Sequence, residues 1–290
     1  MKSILEAGDL KSVRVLVRVD WNVPLHKGKV VNDFRIRQTL PTIEYLKKAG
    51  ADIVLIGHRE EEEDSLKPIY DHVKKHFLPD LTFVEKSPLY LLENLRQNTG
   101  EKKNTTGFAK KLVKLGEIYV NEAFSESHRD YASITGVAKL LPSFAGLYLS
   151  KEIQELSKAF YPKRPFLFIL GGAKFETKLP LLKKFVQIAD AIFIGGALAN
   201  NFFKEMGKDV GDSLVSEGNF GLKELMETGK IILPEDTIIK DNKIMDAGPI
   251  ALESLASKIE SSNLILWNGP LGDYEKGYNV STLQLAKYIA

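Results

Sequence analysis

Two glycines and two lysines follow an unbroken apolar segment in the second half of the chain. The segment spans Phe166–Leu170, and Gly171, Gly172, Lys174 and Lys178 come soon after it. Glycines let a ligand approach the backbone, the first N–H groups of a following helix bind anions, and lysines add positive charge. The pattern predicts a phosphate-binding turn, although a tight turn with solvated lysines uses the same residues about as often.

Other phosphate and nucleotide signatures are missing from the sequence. The chain contains no GxxxxGK[ST] segment and no intact GxGxxG segment. The P-loop route to nucleotide binding is therefore not supported, and a dinucleotide site is disfavoured.

Composition limits the class of protein. The 290 residues, 44% of them hydrophobic, predict about two domains with buried cores. Forty basic and 38 acidic residues give a net charge of +2, which favours neither nucleic acid nor a membrane surface as a partner.

The cysteine count and the N-terminus indicate the compartment. With no cysteine the chain has no disulfide, no catalytic thiolate and no Cys-ligated zinc, as is typical of a reducing compartment. Residues 1–10 lack the long apolar core of a signal peptide, and no apolar run is long enough to span a bilayer. We predict a cytoplasmic protein.

Hydrophobic periodicity predicts an α/β arrangement in each half. Pro41 is expected to kink the first helix or to mark a later start for it. The helix-like stretch that ends before Pro162 and Pro165 is the best candidate for a boundary that couples two lobes. The predicted strands are 13–20, 53–56, 81–84, 118–120, 166–170, 191–194, 231–233 and 264–267, and the predicted helices include 35–48, 108–115, 148–160 and a helix from 179.

Polar side chains fall where the predicted strands end. Open α/β sheets bind ligands at the carboxyl ends of their strands, so this placement predicts one binding edge in each half and two ligands that meet across a cleft. These residues are Asp20, Asn22, His58 and 121–129 in the first half, and Lys174, Gly195, Gly196, Asn268, Gly269 and Pro270 in the second.

Each of these residues also has an ordinary structural interpretation. Arg35 and Arg96 would more often be surface arginines, and His58 could cap a helix or lie satisfied in a partly buried site. A run of five acids at 60–64 is most simply a solvated loop or a helix start.

Six groups of local sequence follow one another along the chain. They are VRVDWNVP at 17–24, RI at 35–36 with LPTI at 40–43, LENLR at 92–96, YVNEAF at 119–124 with HR at 128–129, LGGAK at 170–174, and LWNGPLG at 266–272 with Glu275. Taken together, in order and in rough spacing, these segments resemble the phosphoglycerate kinase family from about residue 13 to residue 290. The combination is specific to that family.

The resemblance implies a fold and a reaction. It implies two Rossmann-like lobes with parallel sheets flanked by helices: a phosphoglycerate-binding lobe at 1–145, a hinge helix at 146–161 and an incomplete nucleotide-binding lobe at 162–290. It further implies reversible phosphoryl transfer between 1,3-bisphosphoglycerate and MgADP, giving 3-phosphoglycerate and MgATP, with closure about the hinge.

Site residues follow from the resemblance position by position. Arg35, Lys174 and Lys178 are implied to be catalytic, and Glu275 is implied to bind ribose hydroxyls. The implied phosphoglycerate-binding residues are Asp20, Asn22, Arg35, His58, Arg96 and Arg129, and the implied nucleotide-binding residues are Lys174, Lys178, Gly195, Gly196, Asn268, Pro270 and Glu275.

The resemblance also implies the partners. Mg²⁺ is expected to arrive on the nucleotide, with ATP or ADP as a substrate and no metal held by the protein itself. Because the five histidines form no metal-ligand pattern and no DNA-binding motif is present, we expect neither nucleic acid nor a structural metal as a partner, and no membrane. The resemblance also implies a monomer.

Two departures from the family pattern bear on activity. Glu61 stands in the acidic run where the family has a phosphate-facing arginine, so that carboxylates there would oppose an anionic substrate unless Arg59 substitutes from a shifted position. The chain also ends before the family's glycine-rich turn, which in relatives helps to hold the nucleotide's magnesium.

Four interpretations are therefore open. The sequence is a truncated record of an active kinase, a naturally short active member, or a phosphoglycerate-binding remnant without transfer activity. A nonenzymatic scaffold protein is the fourth, and Arg35, Lys174 and Lys178 argue against it because a scaffold does not require them.

Overall fold

The structure, a computed structural model, describes residues 2–84 and 87–290. Contacts along the chain divide it into two units, Met1–Glu155 and Leu156–Ala290. This division falls inside the stretch 146–161 for which we predicted a hinge. The three-part assignment of lobe, hinge and lobe stays a prediction.

The first unit is built on a six-stranded parallel sheet. Its strand order is β5-β6-β4-β1-β7-β8, with β1 and β4 at the centre. A short antiparallel hairpin, β2 and β3, follows β1. The strands are Arg14–Arg18 (β1), Leu25–His26 (β2), Lys29–Val30 (β3), Asp52–Ile56 (β4), Thr82–Phe83 (β5), Leu89–Leu91 (β6), Ile118–Asn121 (β7) and Ser143–Ala145 (β8).

Four α-helices accompany these strands. They are Phe34–Lys48 (α1), Lys67–His76 (α2), Thr106–Val113 (α3) and Leu147–Ser157 (α4). Helix α1 begins at Phe34 and contains Pro41 in its interior, so the predicted later start is wrong. Ile36, Ile43 and Leu46 are buried along this helix, and their packing outweighs the backbone hydrogen bond that proline cannot make.

The second unit has a four-stranded parallel sheet and a separate hairpin. The sheet order is β11-β10-β9-β14, and β12 pairs with β13 in antiparallel fashion. The strands are Phe166–Leu170 (β9), Ala191–Ile194 (β10), Ile231–Ile232 (β11), Thr237–Lys240 (β12), Lys243–Ala247 (β13) and Leu264–Asn268 (β14). The helices are Phe175–Phe185 (α5), Ala197–Glu205 (α6), Leu222–Glu227 (α7), Pro249–Glu260 (α8) and Val280–Ile289 (α9).

Both sheets are covered on their two faces, and the strand sequences show why. In β9, Phe166, Phe168 and Leu170 pack into one hydrophobic cluster, whereas Leu167 and Ile169 pack into another on the opposite face. Because successive side chains of a strand point to opposite faces, a strand buried on both sides must be apolar throughout. The continuous apolar run therefore predicted this strand correctly, and the parallel α/β fold class is confirmed.

No described helix is both long enough and apolar enough to cross a membrane. The longest, α1, has 15 residues and carries charged side chains along its exposed face.

Glu122 joins the central sheet of the first unit to helix α4. Its carboxylate is fully buried and accepts hydrogen bonds from the backbone N–H groups of Tyr148 (3.2 Å) and Leu149 (2.9 Å) and from the Thr42 hydroxyl. Thr42 in turn accepts a hydrogen bond from the N–H of Leu147 at 2.9 Å. These bonds satisfy N–H groups that have no partner within the first turn of a helix. Burial raises the pKa of Glu122 above 4.5 by more than these bonds lower it.

Replacing Glu122 with alanine should destabilise the protein by about 2–4 kcal/mol, because three buried donors lose their acceptor at once. The free energy of unfolding in urea measures this loss. Glu44→Ala, at an exposed position on α1, is the matched control and should change it by less than about 0.5 kcal/mol. Equal effects at the two positions would contradict the anchoring role of Glu122.

Candidate functional site

The first candidate site lies at the carboxyl ends of β1, β4 and β7. Asp20 follows β1, His58 follows β4, and Asn121 ends β7. These three strands are adjacent and parallel, so their ends meet at one edge of the sheet. This arrangement brings together residues that are up to a hundred positions apart in the chain.

His58 is the buried centre of this edge. Arg18, fully buried on β1, donates from Nη2 to His58 Nδ1 at 2.9 Å, and because a guanidinium cannot accept, the proton of the neutral ring must be on Nε2. Burial is the main cause of the low pKa of His58, about 2, and the guanidinium groups of Arg18, Arg96, Arg35 and Arg59 lower it further. His58 is therefore neutral, and its Nε2–H faces Glu126 Oε1 at 3.7 Å as a dipole and not as an ion pair.

Arg18 itself is held by a buried network. Its Nε donates to the Ser133 hydroxyl at 2.8 Å and its Nη1 donates to the Val19 carbonyl at 2.6 Å. Ser133 donates to Glu101 at 2.5 Å from its hydroxyl and at 3.0 Å from its N–H, so a buried carboxylate offsets the arginine charge through one serine. Sequence analysis missed Arg18, because a single arginine within a strand gives no signal of burial.

Arg96 is buried and Arg59 is partly buried, and each has one side-chain nitrogen without a partner. Arg96 Nη1 donates to the Glu60 carbonyl at 3.2 Å, and its Nη2 donates to Glu126 Oε2 at 3.4 Å. Arg59 Nη1 donates to the Val23 carbonyl at 2.6 Å and to Asn22 Oδ1 at 3.3 Å. The Nε atoms of both arginines are buried without a hydrogen-bond partner. Each arginine therefore keeps one unused buried donor, although its other nitrogens have partners, which for Arg59 include Asp64 at 3.6 Å.

Arg18, His58, Arg59 and Arg96 form, with Asp20 and Arg35, what we call the basic cluster. Asp20 and Arg35 are its accessible side. Arg35 Nη1 donates to Asp20 Oδ2 at 3.1 Å and to the Asn22 carbonyl at 3.3 Å, while 51% of the Arg35 side chain is exposed. The Ser125 hydroxyl donates to the same Asp20 oxygen. The other oxygen, Oδ1, is buried and has no partner. One acceptor and two guanidinium donors are thus left unpaired at one edge of the sheet.

Arg129 is placed differently from the other predicted binding residues. It is exposed, and its backbone N–H donates to the Glu126 carbonyl at 2.9 Å. Among the described residues, none of the cluster makes a hydrogen bond or ion pair with its side chain. Its role in substrate binding stays a prediction.

The acidic run forms an exposed loop, as one of the two sequence interpretations proposed. Glu61, the residue at the family's arginine position, is exposed, while Glu62 pairs with Lys102 at 3.0 Å. Two acids of the run reach the cluster: Glu60 accepts from Asn22 Nδ2 at 3.0 Å, and Asp64 lies 3.6 Å from Arg59 Nη2. Arg59 contacts Asn22 at 3.3 Å, and its substitution from the shifted position stays a prediction.

Asn94 fixes the backbone of this loop through hydrogen bonds of its side chain. Its buried side chain accepts from the N–H groups of Arg59 and Arg96 at 3.0 Å each and donates to the carbonyls of Glu61 and Asp64 at 2.9 Å each. One amide therefore fixes both arginines relative to the loop. The LENLR segment contains Asn94, but sequence analysis assigned no role to it.

The second candidate site is a glycine-lined turn at the carboxyl ends of β9, β10 and β14. The N–H of Gly172 donates to the Pro270 carbonyl at 2.9 Å, and the N–H of Gly196 donates to the Leu271 carbonyl at 3.0 Å. Gly196 has φ +61°, and a Cβ there would lie 2.8 Å from the Gly172 backbone. Only glycine lets these three strand ends approach so closely.

Lys174 and Lys178 lie one turn apart at the start of α5. Lys174 is the residue before the helix and is exposed, and Lys178 donates to the Asn268 side chain across the turn. Because residues four apart share a helix face, both amines lie on the side of the glycine turn. The helix's first N–H groups add partial positive charge at the same place.

A cavity of about 1010 Å³ opens beside this turn. Of the predicted nucleotide-binding residues, Lys174, Gly196, Pro270 and Glu275 line it, whereas Lys178, Gly195 and Asn268 do not. Asn200 also lines it, and its buried Oδ1 has no hydrogen-bond partner. A cavity of this size accommodates a nucleotide-sized ligand.

No cluster of three or more metal-ligating side chains is present within residues 2–84 and 87–290. Two of the carboxylates at the cavity are engaged within the protein: Asp246 accepts from Ser281, and Asp273 accepts from Lys276 at 2.8 Å. Such a site suits a Mg²⁺ ion that keeps phosphate and water ligands, since Mg²⁺ is usually bound through one or two carboxylates and substrate phosphates.

Comparison with known proteins identifies relatives along the whole chain. The family model described as phosphoglycerate kinase matches residues 5–290. The phosphoglycerate kinase of Coprothermobacter proteolyticus is 36% identical over 337 aligned positions, which cover 100% of this chain and 86% of that protein. The phosphoglycerate kinase of Brucella melitensis is 36% identical over 334 positions, covering 99% and 84%. Because these alignments are longer than the chain, some positions of the relatives lie opposite gaps in it.

Solved structures agree with these relatives. Phosphoglycerate kinase from Coxiella burnetii superimposes with a TM-score of 0.82 at 30% identity, covering 99% of this chain and 85% of that one. The enzyme from Pyrococcus horikoshii gives a TM-score of 0.84 at 26% identity, covering 100% and 86%.

The neutral His58 should make stability depend on pH. Its folded pKa of about 2 lies below the usual 6.5, so the unfolded chain binds the proton more tightly and stability falls as pH falls below about 6.5. Between about pH 7.5 and pH 5, wild type should therefore lose about 2 kcal/mol relative to a His58→Asn variant, which has no such proton to bind.

Urea unfolding at the two pH values measures this difference. His26→Asn, at an exposed position, is the control and should leave the pH dependence of wild type unchanged. A His58→Asn variant that follows wild type at both pH values would show that His58 is protonated in the folded protein.

Proposed function

The chain belongs to the phosphoglycerate kinase family, and we propose that it catalyses reversible phosphoryl transfer between 1,3-bisphosphoglycerate and MgADP. In the forward direction the bond between phosphorus and the acyl oxygen breaks as phosphorus bonds to an oxygen of the ADP β-phosphate. The products are 3-phosphoglycerate and MgATP. The acceptor in the reverse direction is a carboxylate.

The unpaired atoms of the basic cluster carry this proposal. Two buried guanidinium Nε–H donors, on Arg59 and Arg96, suit the oxygens of a phosphate or carboxylate. The unpaired Asp20 Oδ1 cannot face an anion and suits a hydroxyl group. A ligand with two anionic ends and a hydroxyl between them, as in 3-phosphoglycerate, satisfies all three atoms. Native proteins rarely leave buried polar atoms unpaired without a functional reason.

Arg35 is the residue of this cluster that we place nearest the transferring group. Its guanidinium is half exposed and is held by only two contacts, to Asp20 and Asn22. It can therefore leave these contacts to stabilise charge on the equatorial phosphate oxygens. Phosphoryl transfer requires positioning and charge stabilisation from a protein and little covalent chemistry.

The glycine turn of the second unit is the proposed nucleotide site. Lys174 and Lys178 would contact the nucleotide phosphates, Gly195 and Gly196 would flank the base, and Glu275 at the cavity would accept from ribose hydroxyls. Lys178 is held by Asn268, which limits its freedom before a nucleotide binds. When bound with the nucleotide, Mg²⁺ supplies positive charge that neutralises the phosphate oxygens.

Motion about residues 146–161 is part of the proposal. Helix α4 crosses the division between the two units, and its first turn is fixed to the first unit through Glu122 and Thr42. Closure would exclude water from the acyl phosphate and prevent its hydrolysis. We also infer a monomeric enzyme from the family resemblance and a cytoplasmic location from the chain's composition.

The proposal is tested by formation of ADP from MgATP that depends on 3-phosphoglycerate. Arg35→Ala and Lys174→Ala should each lower kcat by about 10²–10³, because each removes a group that stabilises transition-state charge. Both side chains are largely exposed, so the free energy of unfolding should change by less than about 0.5 kcal/mol.

Matched controls lie on the same helices. Arg37→Ala on α1 and Lys183→Ala on α5 remove the same charges at exposed positions outside the two sites, and should retain near wild-type turnover. Activity lost equally in the site variants and the controls, or lost in parallel with stability, would contradict the assignment.

A further inference from the structure

The proposed substrate cluster contains a carboxylate that belongs to the protein itself. Glu126 Oε2 accepts from Arg96 Nη2 at 3.4 Å, and Glu126 Oε1 lies 3.7 Å from His58 Nε2. The tautomer fixed by Arg18 places a proton on that nitrogen, so both oxygens of Glu126 face donors of the cluster. The carboxylate thus occupies a position in which a ligand oxygen would accept hydrogen bonds from an arginine and from a histidine N–H.

Glu126 differs from the two acids of the 60–64 run that contact the cluster, Glu60 and Asp64; the Asp64 side chain, 3.6 Å from Arg59, is 42% exposed. The Glu60 side chain is 70% exposed and lies 4.0 Å from Arg96, so water screens its charge. The Glu126 side chain is only 14% exposed, and Arg96 beside it is 9% exposed. The Glu126 charge therefore acts on the cluster with far less screening.

The contacts of Glu126 are long, and its position in the backbone lets its side chain rotate towards solvent. Both of its contacts exceed the usual length of a charge-assisted hydrogen bond. It ends the short 3-10 turn Phe124–Glu126, and the residues 128–130 beyond it are exposed. Rotation of its side chain towards solvent would free Arg96 without moving the strands.

We propose that Glu126 is an internal occupant of the anion site, which the carboxylate or phosphate of the substrate displaces from Arg96 and His58. The identity of that substrate rests on the proposed function, but the competition itself requires only an anion. Glu126 offsets the charge of buried Arg96 when the site is empty, and it lowers the affinity for any ligand that needs the same donors.

The size of the effect follows from competition. If Glu126 occupies the donors about nine-tenths of the time, the apparent affinity of an anion is about tenfold below its intrinsic value. Neutralising Glu126 should remove that loss. It should also remove repulsion between the carboxylate and the ligand, which acts in the same direction.

The test compares Glu126→Gln with Glu62→Gln. Both variants remove one negative charge, but Glu62 is exposed and pairs with Lys102 away from the cluster. Glu126→Gln should lower the KM for 3-phosphoglycerate about tenfold, with kcat and the KM for MgATP little changed, whereas Glu62→Gln should leave all three near wild type. Glu126→Asp keeps the charge and shortens the side chain, so it should lower this KM by less than Glu126→Gln does. It replaces the glutamine variant in the test if that variant folds poorly.

A second readout uses inorganic phosphate and needs no turnover. Calorimetric titration should show phosphate binding about tenfold more tightly to Glu126→Gln than to wild type or Glu62→Gln. If no variant turns over but this difference persists, the proposed function fails and the inference stands. Phosphate or 3-phosphoglycerate that binds Glu126→Gln no better than wild type would overturn the inference, and weaker binding would assign Glu126 to ligand positioning instead.

Discussion

The hydrogen bond from Arg18 to His58 is the interaction on which the first site depends. It connects β1 to the end of β4 and fixes the tautomer of His58, which is neutral mainly because it is buried, so that Nε2–H faces Glu126. Burial of a guanidinium is costly without partners, and here Ser133 and Glu101 provide them from elsewhere in the unit. The other cations of the cluster lack such complete pairing. The fold thus fixes one arginine firmly and leaves the rest available to a ligand.

The two proposed anion sites are built in different ways. In the first unit, guanidinium groups with fixed, directional donors lie around a neutral histidine, which suits a small ligand whose orientation matters. In the second, glycine backbone, a helix start and two lysines provide positive potential beside a large cavity. Directional pairing suits a small hydroxy acid, and a flexible positive surface suits the phosphate chain of a nucleotide. Both proposed sites lie at the carboxyl ends of parallel strands.

Much of the fold could be predicted from sequence, because strands buried on both faces must be apolar throughout. Runs such as Phe166–Leu170 and Ala191–Ile194 are strands with the predicted bounds. The short strands Leu89–Leu91 and Ser143–Ala145 were missed, since three residues give no periodicity. Glu126 and Arg18 were missed for another reason: their importance depends on partners 30 to 115 positions away, which tertiary structure alone brings together. Position in a motif located Arg96 and Asp20, but only the structure identified the atoms left unpaired.

If the unpaired atoms of the basic cluster are ligand positions, Asp20 Oδ1 should accept a hydrogen bond from the C2 hydroxyl of 3-phosphoglycerate. Calorimetry would compare 3-phosphoglycerate with the analogue that carries hydrogen in place of the C2 hydroxyl, on wild type and on Asp20→Ala. Wild type should bind the analogue about tenfold more weakly, and the alanine variant should bind the two ligands alike. Equal affinity of wild type for the two ligands, or an unchanged preference in the variant, would contradict this role of Asp20.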